Sequence, residues 1–285
     1  MSLSILTNIS AMQTEQNLLN SSNAVAKAEQ DLSSGLRINS AADDAAGYAI
    51  SEGLTSQING LSEASDNAND AISMVQTASS SVSNVQDMLQ RIYELGVQYN
   101  NGTNSTTDDT DIQDEVNQLT QEIDRQQSSS NFNGINLLSG SAGTKTNGTV
   151  TFQVGANSGD TLSVTFSNIE KTTMTSGFSW TAAKTGGKVF DLSSSDALKN
   201  LTSAINALSS YAAELGAVQN RLQYTSDEIN ATSTNLSSTN SQITDVNMAQ
   251  EMTTLTQQQV LEQAGTAMLS QAQSQPQMIL KLLQG

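Results

Sequence analysis

The chain contains no cysteine and no histidine among its 285 residues. Without histidine it lacks the commonest general base, the usual zinc ligand and every Ser-His nucleophile arrangement. Without cysteine it has neither a disulfide framework nor thiol chemistry, a composition that suits passage between reducing and oxidising spaces. Its single proline is Pro276, so no other position interrupts a helix by removing a backbone N–H. Aromatic residues make up 4% and hydrophobic residues 36% of the chain, too little for a thick globular core but enough for narrow helical seams in an elongated molecule. Bases are scarce as well, 11 against 28 acids, for a formal net charge of −17. Phosphate neutralisation needs a basic surface, so a nucleic-acid partner is argued against. Residues 141–199 hold five lysines against four acids, a local net of +1, which leaves −18 on the rest. No stretch is apolar enough to span a bilayer. The opening MSLSILTNISAMQ lacks a basic region followed by a continuous apolar one, so no cleavable secretory signal is read there.

Catalytic constellations are missing too. The adjacent carboxylates Asp43 and Asp44, and Asp108 and Asp109, lie in turn-like sequence where helix capping is the ordinary role. GANSGD and GTNS lack the lysine of a phosphate-binding loop. Asn101-Gly102-Thr103 matches the N-glycosylation pattern, which chance explains in Ser/Thr/Asn-rich sequence. The residues give no reason to assign a catalytic group, a cofactor or a metal.

What is present is a seven-residue hydrophobic repeat at both ends of the chain. Leu201, Leu208, Leu215, Leu222, Ile229, Leu236 and Ile243 recur at this period, with a second stripe starting at Ile205 and Ala212. Leu54, Leu61, Ala68, Val75, Val82, Leu89 and Gly96 repeat in the same way, with Ile58 and Ile72 beside them. Such stripes predict long coiled-coil helices that pair with each other. Earlier still, Ile5, Met12, Leu19 and Ala26 repeat at seven, flanked by Leu18, Val25 and Leu32, while Ile9, Gln16, Asn23 and Gln30 make a more polar stripe. Polar residues in a seam cost stability and fix register.

The pattern predicts a first helix over 3–33, a connector in SSGLRINSAADDAAG, and a second helix over 48–99, roughly 75 Å long at 1.5 Å per residue. Asn-Gly and Asp residues in NNGTNSTTDD predict a turn and a cap before a third helix carrying Ile112, Val116, Leu119 and Ile123. Alternation at Val150, Phe152 and Val154, and again at Leu162, Val164 and Phe166, predicts a β-hairpin. Residues 168–190 contain Trp180 and three glycines but no period. A long helix over 194–240 and a final one from Ile243 complete the reading. The fold class is therefore mainly α, a long coiled-coil bundle with a small β-hairpin and paired terminal helices.

The connector LSSGLRINSAADDAAGYAIS, residues 32–51, closely resembles the spoke segment of bacterial flagellins. The resemblance continues through 54–78, LQRIYELGVQ at 89–98, IQDEVNQLTQEIDR at 112–125 and the hairpin TFQVGANSGDTLSV, and returns in EQAGTAMLSQAQSQPQMILKLL. The strings come in the right order along the chain; generic heptads would explain the stripes but not these strings. It implies a structural subunit, not an enzyme, that polymerises into the helical filament of the bacterial flagellum. Residues 1–42 with 244–285 would form an inner-tube domain, with the spoke near 33–47. Residues 43–243 would form an outer-tube domain with hairpin 149–167 and a short variable insert at 168–192. The expected self-assembly face comprises Ile5, Ile9, Met12, Leu19, Val25, Leu32, Val246, Met252, Leu255, Leu261, Ala264, Met268, Ile279 and Leu282. The expected spoke residues are Leu36, Arg37, Asn39, Asp43 and Asp44.

The family implies further partners: the flagellar export apparatus, an export chaperone at the C-terminal helix, a filament cap, hook-junction proteins and a vertebrate innate immune receptor. The receptor contact is expected at Gln90, Arg91, Leu95 and Glu115. The implied location is extracellular, in the filament, with no nucleic acid and no membrane. The chain departs from the family pattern at Tyr93, where many members carry Arg, at Gly96, where Ala is usual, and at Gln257 and Gln258 in a stretch that often carries a base. A hook-filament junction protein of the same family is the rival structural reading. An enzyme-bearing insert is the rival from another class, and about 25 residues without histidine leave no room for a zinc protease.

Overall fold

In the computed structural model the described residues are 8–142, 148–169, 181–182 and 188–283, excluding the side chains of 181–182, 188–189 and 275–283. Trp180 and Ile5 lie outside them. The chain divides into two compact units. One comprises Met1–Ser56 with Asn235–Gly285, the other Gln57–Thr234. Both divisions fall inside continuous helices, so residues 43–56 and 235–243 group with the chain ends.

The terminal unit is built on α1 (Ile9–Ser34) and α5 (Met248–Leu283), with the start of α2 (Ala45–Tyr99) and the end of α4 (Ala197–Thr244). Asn8 caps α1 by accepting from Ala11 N–H at 3.1 Å. Its amide also donates to the Ala272 carbonyl at 2.8 Å, so the first turn of α1 meets the late part of α5. The two helices run antiparallel, since Leu18 lies against Gly265: a Cβ added there would sit 3.3 Å from Leu18 Cδ1. Gly35 ends α1 with φ +76°, a left-handed conformation open to glycine, and its N–H returns to the Asp31 carbonyl.

The break before the last helix lies at residues 245–247, several residues later than the sequence pattern suggests. The helix runs on to Thr244 because its end is closed from outside: Arg37 N–H donates to Thr244 O at 2.8 Å and Val246 N–H to Gly35 O at 2.9 Å. Pro276 falls within α5. Few side chains of this unit are buried, chiefly Ala28, Asp31, Ile38 and Ser51.

The inner unit is built differently. Here α2 and α4 are antiparallel: Gln86 donates to Ser209 Oγ at 2.7 Å, and Gly96 lies against Leu198. Leu61, Ala68, Val75, Val82 and Leu89 are buried as their period requires, facing Leu201, Leu208, Leu215, Leu222 and Ile229. Burial is wider than a two-position seam. Ala64, Ala71, Ala78, Val85 and Ile92 are buried, and so are Met74, Ser81 and Leu95. A helix burying three positions in seven packs against more than one partner. On α4 the second buried stripe is Ala204 and Tyr211, while Ile205 and Ala212 are only half-buried.

The further partners are α3 (Thr106–Ser129) and three small two-stranded ladders. A capping box starts α3: Ser105 accepts from Asp108 N–H and Asp108 accepts from Ser105 N–H. The ladders pair β1 (Asn131–Phe132) with β2 (Ile135–Asn136), β3 (Thr149–Gln153) with β4 (Thr161–Thr165), and β5 (Thr181–Ala182) with β6 (Lys188–Val189). The predicted hairpin is present with Val150 opposite Val164 and Phe152 opposite Leu162. It buries Leu162, Val164 and Phe166 in one core with Leu89, Ile92, Val116, Ile123, Leu201 and Leu208. Ser167 N–H donates to the Tyr211 hydroxyl at 3.1 Å, and burial pushes that phenol up to about 12.

Candidate self-assembly surface and connector

The α1–α5 pair divides the expected assembly residues into two groups. Val25, Leu32, Val246 and Leu255 are half-buried in the terminal unit. Ile9, Met12, Leu19, Met252, Leu261, Ala264 and Met268 are exposed, Ile9 at 69% and Met12 at 65%. Ile279 and Leu282 lie in α5 with side chains outside the described residues. Between the helices runs a groove of about 530 Å³, lined by Asn17, Leu18, Leu261, Ala264, Gly265 and Met268. Isolated exposed apolar residues are ordinary, but so many along both helices of one pair are not. Sequence reading missed Met248 and Val260, both exposed.

The connector between α1 and α2 is held by charge. Asp43 accepts from Asn39 N–H, Ser40 N–H and Ser40 Oγ through one oxygen, while Lys27 Nζ reaches the other at 2.6 Å. The same ammonium lies 2.9 Å from Asp31, which also accepts from Asn39 Nδ2. Hydrogen bonding from Lys27 is the largest influence on Asp43 and holds its carboxyl at about 2, and the pair of carboxylates raises Lys27 above its ordinary value. Asp44 caps α2, accepting from Ala46 N–H at 3.0 Å. A Cβ at Gly47, in the first turn of α2, would lie 2.4 Å from Asp44 Oδ2 and 2.8 Å from Ile38 Cδ1, so any larger residue there would have to displace the capping carboxylate and Ile38.

Arg37 reaches across to α4. Its Nε donates to the Ile243 carbonyl at 2.7 Å and its Nη2 to the Gln242 carbonyl at 3.0 Å. A cation over the last carbonyls satisfies acceptors the helix cannot and complements its dipole. Leu36 is paired with Asp245 in an antiparallel bridge. The five residues expected in the spoke therefore do different work, and Lys27 and Asp31, absent from the expected set, complete the charge network around Asp43. Their four-residue spacing on α1 was the available signal.

In the inner unit Gln90, Arg91 and Glu115 are exposed, with Arg91 2.9 Å from Glu115 and 3.2 Å from Glu94. Hydrogen bonds donated to these two carboxylates, Glu115 first, raise the guanidinium further. Leu95 does not belong with them. It is 2% exposed and sits in the core, so it offers no surface to a partner. Gly96 also reads differently in place: a Cβ there would meet Leu198 Cδ2 at 2.8 Å and Leu192 Cδ2 at 3.3 Å, so it permits close packing more than it loosens the helix. Among the described residues no cluster of His, Cys, Asp and Glu could hold a metal ion, and no helix is long and apolar enough to cross a membrane.

Residues 5–143 match the bacterial flagellin N-terminal helical region and residues 198–283 the bacterial flagellin C-terminal helical region. A flagellin of Halalkalibacterium halodurans is 40% identical over 276 residues, covering 97% of this chain and 98% of that protein. The flagellar filament 33 kDa core protein of Treponema phagedenis is 41% identical over 291 residues, with the same coverage of each. A flagellin of Bacillus subtilis is 40% identical over 302 residues, again with 97% and 98% covered. Among solved structures, Bacillus cereus flagellin is similar with a TM-score of 0.48 and 26% identity, over 57% of this chain and 88% of that one.

Proposed function

The chain belongs to the bacterial flagellin family, and from that premise we propose that its terminal unit makes the polymer contacts while its inner unit supplies the rigid body. It is a structural protein, a subunit that self-assembles into the flagellar filament. Relatives named as flagellins or filament core proteins across almost its whole length do not favour the hook-junction alternative.

The observation that carries the division of labour is the number of exposed apolar side chains, Ile9, Met12, Leu19, Met252, Leu261 and Met268, on a helix pair that buries little of its own. A helix pair with so narrow a seam gains little from its own packing. Neighbouring copies of the chain would cover these side chains, and a repeated contact that does not close on itself yields an open helix instead of a ring. Residues 1–42 with 244–285 are then the inner-tube part, 43–243 the outer-tube part, and the network of Lys27, Arg37, Asn39, Asp43 and Asp44 the joint that holds the connector. Deleting residues 1–42 and 244–285 tests this. The remainder is expected to stay soluble and helical by circular dichroism and to form no filaments in electron micrographs. A truncated protein that still polymerised would reject the division.

The same reading takes the subunit out of the cell through the flagellar export apparatus, with a chaperone covering the exposed face of α5 and a cap guiding assembly at the tip. Free subunits would also present Gln90, Arg91 and Glu115 to the vertebrate receptor that responds to similar flagellins. Receptor-reporter cells given unmutated protein and Arg91→Ala check this, with a weaker response expected from the variant.

A further inference from the structure

The methionines of this chain are distributed unevenly. Of nine, Met1, Met12, Met248, Met252, Met268 and Met278 fall in the terminal unit. Four of these are described with their side chains, and all four are exposed: Met12 at 65%, Met248 at 50%, Met252 at 52% and Met268 at 61%. In the inner unit Met74 is 2% exposed and Met88 is half-buried against the core. The chain has no cysteine, so thioethers are its only sulfur and no thiol competes with them for an oxidant. Asn8 bonded to Ala272 sets the antiparallel register that brings Met12 level with Met268, which also lines the groove beside Leu261.

We propose that reversible oxidation of Met12, Met248, Met252 and Met268 governs whether the free subunit can polymerise. The proposal rests on the reading that other copies of the chain cover the exposed side chains of this helix pair. The thioether lone pair attacks one oxygen of a peroxide and the O–O bond breaks. Sulfur keeps that oxygen as a sulfoxide and loses two electrons to the peroxide, whose other oxygen leaves and takes up a proton as water or an alcohol. The product is a polar, chiral group where an apolar, adaptable one stood. On the free subunit the sulfoxide is solvated and costs little. In a subunit contact it must be buried without an arranged donor, which opposes assembly. Filaments already formed would shield the same sulfurs.

The test uses the full-length protein, free and polymerised, exposed to dilute hydrogen peroxide, with oxygen uptake located by peptide mass mapping. In the free subunit the four exposed methionines are expected to oxidise first and Met74 last. In filaments the four should be protected. The oxidised subunit should keep its helical circular dichroism and show a critical concentration raised about tenfold or more, the scale of burying an unpaired polar group. A methionine sulfoxide reductase with a dithiol should restore assembly, which general oxidative damage would not allow. Met268→Gln should reproduce part of the defect without oxidant, whereas Met88→Leu should respond to peroxide as the native protein does. Oxidised subunit that assembles at the unmodified critical concentration, or a defect that the reductase does not reverse, overturns the proposal. Equal oxidation of free and polymerised subunits instead overturns the reading that these side chains are covered in the filament.

Discussion

Both units of this flagellin are helical, yet among the described residues only one gathers a large apolar core. The inner unit gathers Val82, Leu89, Ile92, Val116, Phe166, Leu201 and Leu208 into a core at or near zero exposure. The terminal unit carries a comparable heptad signal but leaves Ile9, Met12, Leu19, Leu261 and Met268 in solvent. Periodicity therefore reports that a face will be covered, not that the same chain covers it. The inner unit meets that need with α3 and the hairpin, which widen the buried face of α2 beyond a single seam. Among the described residues the terminal unit shows no comparable third layer, and on the proposed reading its exposed apolar side chains are covered by other subunits.

The strongest way to break this contrast is to cut the same residue type in each unit. Leu89→Ala is expected to lower subunit stability by about 2–5 kcal/mol, because it opens a cavity in a closed core. Leu19→Ala is expected to change it by no more than about 0.5 kcal/mol, the range of exposed substitutions, while raising the critical concentration for assembly. Denaturant melts and sedimentation of polymer would separate the two effects. An equal loss of stability would show that the terminal unit has an interior after all.

Glycine gives a smaller contrast. At exposed Gly53 an added Cβ meets nothing within 4 Å, so Gly53→Ala should stabilise the helix by about 0.5–1 kcal/mol through backbone entropy. At Gly96 the same gain is opposed by contact with Leu198 and Leu192, and Gly96→Ala should destabilise by up to about 1 kcal/mol. A stabilised Gly96→Ala variant would mean that this core yields more readily than its burial suggests.

The connector sharpens the contrast through pH. Asp43 is held at about 2, below its ordinary range, chiefly by Lys27. A carboxylate with a depressed value contributes stability that is present above the ordinary carboxylate range and lost as pH falls through about 2. The difference in terminal-unit stability between the native protein and Asp43→Asn should therefore be full near neutral pH and close in strong acid. Amide exchange in α1 at both extremes would check it. A gap that stayed constant would place the contribution of Asp43 in packing instead of charge.

The smallest expected effect is that of salt on assembly rate. Among the described residues the ion pairs draw on Lys27, Arg91 and Arg125, few against 28 acids. Packing subunits brings like charges within the screening length of about 10 Å at 0.1 M salt, so turbidity should rise faster as salt increases. A flat response would show that acids are neutralised in specific pairs at the contacts.

Much of this molecule was legible without coordinates. Heptad stripes located α2 and α4, alternation located the hairpin, and the connector string with its companions identified the family. These signals are local: they follow from the period of a helix or strand and from residue types that suit a turn. Helix ends, the phase of burial and the roles of single side chains depended on contacts distant in sequence. The end of α4 lies at Thr244 because Arg37, more than two hundred residues earlier, covers its carbonyls. Leu95 is buried because α2 presents a third stripe to the core, a fact that its position beside Arg91 in the sequence conceals. Lys27 joins the connector because the fold brings it to Asp43. The amino-acid order by itself determined which segments are helical and that their faces seek cover. Only tertiary structure decided which faces found cover within the chain, since burial is a property of neighbours and the pattern along one helix names none of them.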